Sequence, residues 1–170
     1  RVFGDITDAT NLELGVSGAL NQPSNALHRS MAGVDATFRW KPAGQELYKG
    51  FIARGEYLLP RWQKPAVLAH TRLVTAEPAR TERRGGYLYG EYQAGRRWKF
   101  GMRGDYNEDP NIVGPRTVTR AISPYAGYTL SEFNRFRLQF QRRWLPTRKA
   151  DNYVLFQWTI VLGPHGGHAY

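Results

Sequence analysis

From Asn134 to Trp144 the chain alternates, with Phe136, Leu138, Phe140 and Trp144 at even positions and Arg135, Arg137, Gln139, Gln141 and Arg143 at odd ones. Strand side chains point to opposite faces with a period of two, so this stretch makes a strand with one greasy face and one ionic face. Asn152 to Leu162 repeats the rule: Val154, Phe156, Trp158, Ile160 and Leu162 share one side. A water-soluble ligand-binding barrel puts its apolar side chains inside and its charges outside. Charged and apolar faces of this kind instead suit a closed sheet whose greasy side meets hydrocarbon.

Alternation and turn residues mark about eight strands, approximately Leu12–Leu20, Ser30–Trp40, Lys49–Leu59, Gly85–Gly95, Trp98–Asn107, Val118–Leu130, Asn134–Trp144 and Tyr153–Leu162. Most are near the roughly 9–11 residues that cross a bilayer when tilted. The expected fold is therefore all-β, an antiparallel up-and-down transmembrane β-barrel in which residues 1–170 form a single barrel domain or barrel segment. The aromatic share of 14%, with 18 Gly and 10 Pro, fits short strands and turns better than long helices. A mean hydropathy of −0.56 does not argue against membrane insertion, because lumen residues cancel their lipid-facing neighbours.

The connections sort by length. Asn21–Arg29, Pro60–Arg84, Glu108–Thr117 and Leu145–Asn152 fall at one end, while Arg96–Arg97 and Ser131–Phe133 are tight and Lys41–Tyr48 is intermediate at the other. Outer-membrane barrels carry long loops outside and short turns inside. The location implied is the bacterial outer membrane, with lipid and lipopolysaccharide as partners. Arg61, Lys64, His70, Arg72, Arg80, Arg83 and Arg84 in the longest connection suit lipopolysaccharide phosphates, and a solvated loop explains them equally.

On the apolar face, Leu12, Leu14, Val16, Val34, Phe38, Phe51, Leu88, Phe100, Met102 and Ile122 precede Leu138 and Phe140, and Arg142 is the charged exception. Aromatics gather near strand ends: Trp40, Tyr92, Trp98, Tyr128 and Phe136 at the inner interface, Tyr57, Tyr106 and Trp144 at the outer. Amphipathic rings favour the headgroup level. The opposite face carries the candidate lumen residues Asp35, Arg39, Arg54, Glu56, Glu91, Arg103, Asp105, Arg135, Arg137 and Arg143. Adjacent strands put Asp35 and Arg39 beside Arg54 and Glu56, and Glu91 beside Arg103 and Asp105, as structural ion pairs; Arg135, Arg137 and Arg143 either answer carboxylates elsewhere or favour anions.

Other chemistries find less support. The net charge of +10 is spread over strands and loops with no nucleic-acid-binding signature, so no nucleic acid partner is expected. Zero Cys removes disulfides and thiolate metal sites. His165-x-x-His168 has metal-like spacing but lacks further ligands, so no metal or other cofactor is expected. Asp105-x-Asn107-x-Asp109 opens like a calcium loop, then fails at Pro110 and Arg116. His28 and His70 lie in loops, far from a Ser or a carboxylate that could complete a triad, so the chain is not read as an enzyme.

The ending Gln157-Trp158-Thr159 with Gly163-Pro164-His165-Gly166-Gly167-His168-Ala169-Tyr170 resembles a family of Gram-negative outer-membrane proteins often labelled zinc-regulated TonB-dependent outer-membrane receptors. Ser131-Glu132-Phe133 with Arg135, Arg137 and Leu138-Gln139 is similar to that family's penultimate hairpin; Leu14-Gly15 with Ser17, and Gly33 with Asp35, resemble earlier strands. Members of the family are longer on the N-terminal side. The resemblance implies that these residues form the C-terminal part of a bigger barrel, completed by further barrel strands or other envelope proteins.

Three functions stay open at this point. A larger lumen lined by the polar face would pass small solutes in the manner of a porin. A closed eight-stranded barrel, filled by its own side chains, would act as a structural anchor or interaction component. A soluble ligand-binding barrel is the third.

Overall fold

The computed structural model describes residues 1–21, 29–63, 80–109, 117–146 and 149–162. They contain no helix. The strands are β1 (Val2–Thr7), β2 (Thr10–Asn21), β3 (Arg29–Trp40), β4 (Lys49–Gln63), β5 (Arg80–Glu82), β6 (Gly85–Ala94), β7 (Trp98–Glu108), β8 (Val118–Ser131), β9 (Asn134–Trp144) and β10 (Ala150–Ile160). Nine run antiparallel in the order β1-β2-β3-β4-β6-β7-β8-β9-β10, each paired with its sequence neighbours, and β5 extends the sheet beside the end of β4.

Three expectations change. Val2–Thr7 forms an additional strand, because Val2 and Gly4 pair with Leu14 and Leu12 and continue the alternation of β2. The connection Pro60–Arg84 is partly strand: β4 runs on to Gln63, and Arg61 lies opposite Glu82 with Nε 2.9 Å from the carboxylate. The last strand starts at Ala150 and ends at Ile160, pairing throughout with β9. The described strands form an open sheet, with no contact between β1 and β10.

Register carries the apolar positions of each strand onto one continuous face. Trp98 pairs with Tyr128, Tyr128 with Phe136 and Phe136 with Trp158, giving one aromatic row at the short-turn end. Beside it run Trp40, Phe51, Tyr92 and Phe100. At the other end Tyr57, Gly86, Tyr106, Arg120 and Trp144 form a second row. The rings touch within the first pair of rows, with Trp98 and Tyr128 centroids 4.8 Å apart and Phe136 and Trp158 6.0 Å apart.

This face is uncovered. Val154 is 73% exposed, Leu88 68%, Phe156 67% and Leu138 55%, whereas among the described residues Ala121 and Tyr125 are the only buried hydrophobic side chains. Both belong to the opposite face. The sheet thus has no apolar core of its own, and burial is concentrated among polar groups such as Thr37 and Ser123.

Turn chemistry fixes the short connections. Gly95 opens the β6–β7 turn with φ of 85°, in the left-handed region that glycine adopts without a Cβ penalty. Its N–H donates to the Tyr48 carbonyl at 2.6 Å, tying this turn to the neighbouring one. In the β3–β4 connection, Gly44 has φ of 73° and donates its N–H to Glu46 Oε1 at 3.0 Å. The N–H groups of Glu46 itself and of Gly44 hold that carboxyl below the usual range. Mid-sheet, the β8–β9 pairs run from Arg120 to Ile122 and resume at Tyr125, skipping Ser123 and Pro124, where proline supplies no N–H.

Candidate functional site

The polar face divides into a balanced part, a tyrosine cluster and a cationic part. On β2–β4, Arg39 Nη1 lies 3.3 Å from Glu13 Oε2, and Arg1 Nη1 lies 3.0 Å from Glu13 Oε1. Arg39 therefore pairs with β2, and the expected pairing with Glu56 does not form. Asp35 stands opposite Glu56 in register, and Arg54 opposite Thr37. Asp35 reaches over Gly15, where a Cβ would meet its carboxylate at 2.3 Å, and Arg1 Nη2 approaches it at 4.0 Å. Arg54 makes no ion pair among the described residues. A small cleft of about 160 Å³ here is lined by Arg1, Arg39 and Arg54 against Glu13, Asp35 and Glu56, so its charges balance.

In the middle, Tyr125 of β8 lies across β7 to reach Glu91 of β6. Gly101 makes this reach possible, because a Cβ there would stand 2.4 Å from the Tyr125 ring. The Tyr125 hydroxyl donates to Glu91 Oε2, the Tyr89 hydroxyl lies 2.7 Å from that of Tyr125 and 2.9 Å from Glu91 Oε2, and Lys99 Nζ lies 3.3 Å from Glu91 Oε1. Glu91 is thus held by Lys99 and two tyrosines, where pairing with Arg103 was expected beside Asp105. Those two pair with each other along β7, Arg103 Nη2 to Asp105 Oδ1 at 2.8 Å, with the Arg103 guanidinium 4.2 Å from the Tyr87 ring centroid. Arg103 thus engages Oδ1 of Asp105, and Pro110 and Arg116 of the calcium-loop spacing lie outside the described residues.

The basic ladder on β9 is answered in part. Arg143 Nη2 pairs with Asp151 at 3.0 Å and donates to the Tyr153 hydroxyl at 2.7 Å, both on β10. Arg137 has no carboxylate among the described residues; it lies over Tyr125, 3.7 Å from the ring centroid, and donates to Gln139 Oε1 at 2.8 Å. Arg135, exposed near the short turn, likewise has no carboxylate among the described residues. A cleft of about 470 Å³ opens on this side, lined by Arg103, Arg137 and Arg143 against the single carboxylate of Asp105, together with Ser123, Gln139 and Gln141. Its lining is predominantly polar and cationic.

The aromatic positions Trp40, Tyr57, Tyr92, Trp98, Tyr106, Tyr128 and Trp144 all lie on the apolar face, in the rows given above. Arg120 joins Arg142 there: its guanidinium is 5.9 Å from the Tyr106 ring, and that of Arg142 is 5.5 Å from Trp144. At the opposite end Arg96 lies over Tyr48 at 5.0 Å, and Arg97 donates to the Tyr128 hydroxyl at 3.1 Å.

Tyr87, Tyr89, Tyr125 and Asp151 are functional-face residues beyond those named from sequence, whereas Glu13 and Lys99 fall on the polar face that parity assigns them. Parity was the available signal for the tyrosines, since Tyr87 and Tyr89 share their strand face with Glu91 and Tyr125 shares its own with Thr119 and Ser123, but an aromatic ring reads first as a lipid-facing group. His28, His70, His165 and His168 lie outside the described residues, as do Lys64 and Arg72. No group of three or more His, Cys, Asp or Glu gathers among the described residues to hold a metal. Comparison with family models, with curated proteins and with solved structures finds no match.

Proposed function

We propose that this chain is an outer-membrane β-barrel, or a segment of one, whose polar, arginine-rich face lines a lumen passing small solutes in the manner of a porin. The observation that carries the reading is the sorting of the two faces: large apolar side chains are exposed on one, while ion pairs and tyrosine hydroxyls are packed on the other. Water leaves such a belt uncompensated, whereas hydrocarbon solvates it. The spacing of the aromatic rows agrees with a bilayer. Eight residues separate Trp98 from Tyr106 and Phe136 from Trp144. At about 3.3 Å per residue and a tilt of roughly 40°, that is a band of about 20 Å, against about 25 Å for outer-membrane barrels.

Arginines at both edges of the band fit headgroup contact. Arg96 and Arg97 lie at the short-turn end, and Arg120 and Arg142 beside Tyr106 and Trp144 at the other, where phosphate of lipid or lipopolysaccharide is the natural counter-charge. The resemblance of the hairpin around Ser131–Gln139 to the outer-membrane family fits a place late in a longer barrel. No catalytic role is proposed.

One observation favours the structural-anchor reading instead. The Tyr89–Tyr125–Glu91–Lys99 cluster fills part of the polar face and would obstruct a narrow lumen. Planar-bilayer recording of the full-length protein separates the two: steady unitary conductance supports passage, and an inserted, heat-modifiable protein that never conducts supports the anchor. Purification as a stable monomer without detergent would refute both in favour of a soluble barrel.

A further inference from the structure

The cationic cleft of β7, β8 and β9 has more hydrogen-bond donors than the protein satisfies. Ser123 is 1% exposed, and its hydroxyl has no partner among the described residues. The Nε groups of Arg137 and Arg143 are also buried and have no hydrogen-bond partner among the described residues. All three residues line the same cleft of about 470 Å³. Buried polar groups left without partners cost free energy, and a native chain normally satisfies them with protein, water or ligand.

The unmet groups can all donate to one anion. A guanidinium Nε only donates, and a hydroxyl donates to any nearby anion. Ser123 stands opposite Arg103 in register, Ala121 opposite Arg143, and Tyr125 opposite Gln139, so the hydroxyl sits between the arginine-bearing strands on either side. Asp105 is the one carboxylate lining the cleft, and Arg103 already holds its Oδ1. The β8–β9 ladder is also interrupted beside Ser123, leaving this stretch of wall less tied to its neighbour.

From this we infer that the cleft is a binding site for small oxyanions, phosphate or carboxylate in type, with Arg137 and Arg143 supplying charge and Ser123 a hydroxyl donor. The inference rests on the lumen reading and deepens it: the solutes favoured would be oxyanions, selected at β7–β9, while the balanced cleft of β2–β4 is indifferent to sign. Guanidinium groups suit such ligands because their planar fork matches two oxygens at once.

Isothermal titration of the full-length, detergent-solubilised protein with sodium pyrophosphate tests the site without requiring conductance. The wild type is expected to bind with a Kd in the micromolar to millimolar range. R137Q and R143Q should each weaken binding about tenfold or more, and S123A a few-fold, because charge-assisted bonds exceed neutral ones. R96Q, which removes a like charge at a distant turn, should leave binding within twofold. Heat-modifiable mobility checks that each variant is folded. Absence of pyrophosphate binding by the folded wild type overturns the inference, as does a loss in R96Q equal to that in R137Q, which would mark a nonspecific field. Binding by a protein that never conducts would retain the site and refute the passage reading; conductance without binding would do the reverse.

Discussion

Phe140→Arg distinguishes hydrocarbon from water at the centre of the apolar face. Phe140 lies midway along β9, four residues from Phe136 and four from Trp144, and pairs with Val154. At about 3.3 Å per residue it is roughly 13 Å along the strand from either aromatic row, or about 10 Å in depth after tilt. An arginine at the midplane of a barrel's lipid face costs about 2–4 kcal/mol, so the folding equilibrium should fall roughly 30- to 700-fold. In water the expectation reverses. Phe140 is 43% exposed, and a surface substitution of that kind changes stability by about 0.5 kcal/mol at most. The native Arg142, two residues from Trp144, lies near the band's edge, where the cost is only about 0–1 kcal/mol. Equilibrium urea unfolding in phosphatidylcholine vesicles, followed by tryptophan fluorescence, measures the difference, with Gln141→Arg as the control on the opposite face. A Phe140→Arg protein that unfolds within 0.5 kcal/mol of wild type would refute hydrocarbon at this face.

Further expectations follow from particular contacts. Gly101→Ala should cost about 1–3 kcal/mol in the same assay, since Tyr125 must leave Glu91 and Tyr89, and the cost should shrink in a Tyr125→Leu background; equal costs in both would show that the ring does not depend on the glycine. Removing one carboxylate of the polar face by Glu91→Gln should leave Lys99 unpaired and, if that face lines a conducting path, move the reversal potential in a KCl gradient toward chloride, whereas an unchanged potential in a conducting protein would remove Glu91 from the permeation path. Because the chain has no native Cys, single cysteines along β10 report cleanly: at 154 and 156 they should react with a lipid-soluble maleimide, at 155 and 157 with a water-soluble one. Uniform labelling along the strand would contradict two-faced solvation. Replacing Glu13 by Gln should cost only about 0.2–1 kcal/mol, as Arg39 keeps partial access to water.

Strand identity and facing were legible because they depend on parity alone. A period of two survives small errors in boundary, so Phe100, Leu138 and Phe156 fall together even though the ends of β7 and β10 differ from expectation. Val2–Thr7 was harder to read. Its six residues include Phe3 and Asp5, which pair alongside Glu13 and Asn11 on the polar face, and only register with β2 makes the pattern visible. Ion-pair partners were the least legible part. They depend on stagger between strands: Arg39 stands opposite Ile52, four residues from Glu56 along β4, and pairs on its other side with Glu13 of β2. The Tyr125–Glu91 contact spans an intervening strand through a missing side chain at Gly101, information that neighbouring-strand reasoning does not contain.

The open sheet and the exposed belt constrain each other. An edge strand carries a row of N–H and C=O groups, and within hydrocarbon each unsatisfied group costs several kcal/mol. β10 presents an edge of this kind along its eleven residues, and its apolar side carries Val154 and Phe156 between the two aromatic rows, with Trp158 in the row at the short-turn end. Lipid can therefore surround the belt only if β1 and β10 are paired with something, whether further strands of a longer barrel or strands of other chains. Nine strands with a tyrosine cluster on the inner side would make a narrow, mostly filled barrel, while each added strand widens the space that Arg137 and Arg143 face. Closure sets the bore, and the bore decides whether the oxyanion site is a packed pocket or part of a path.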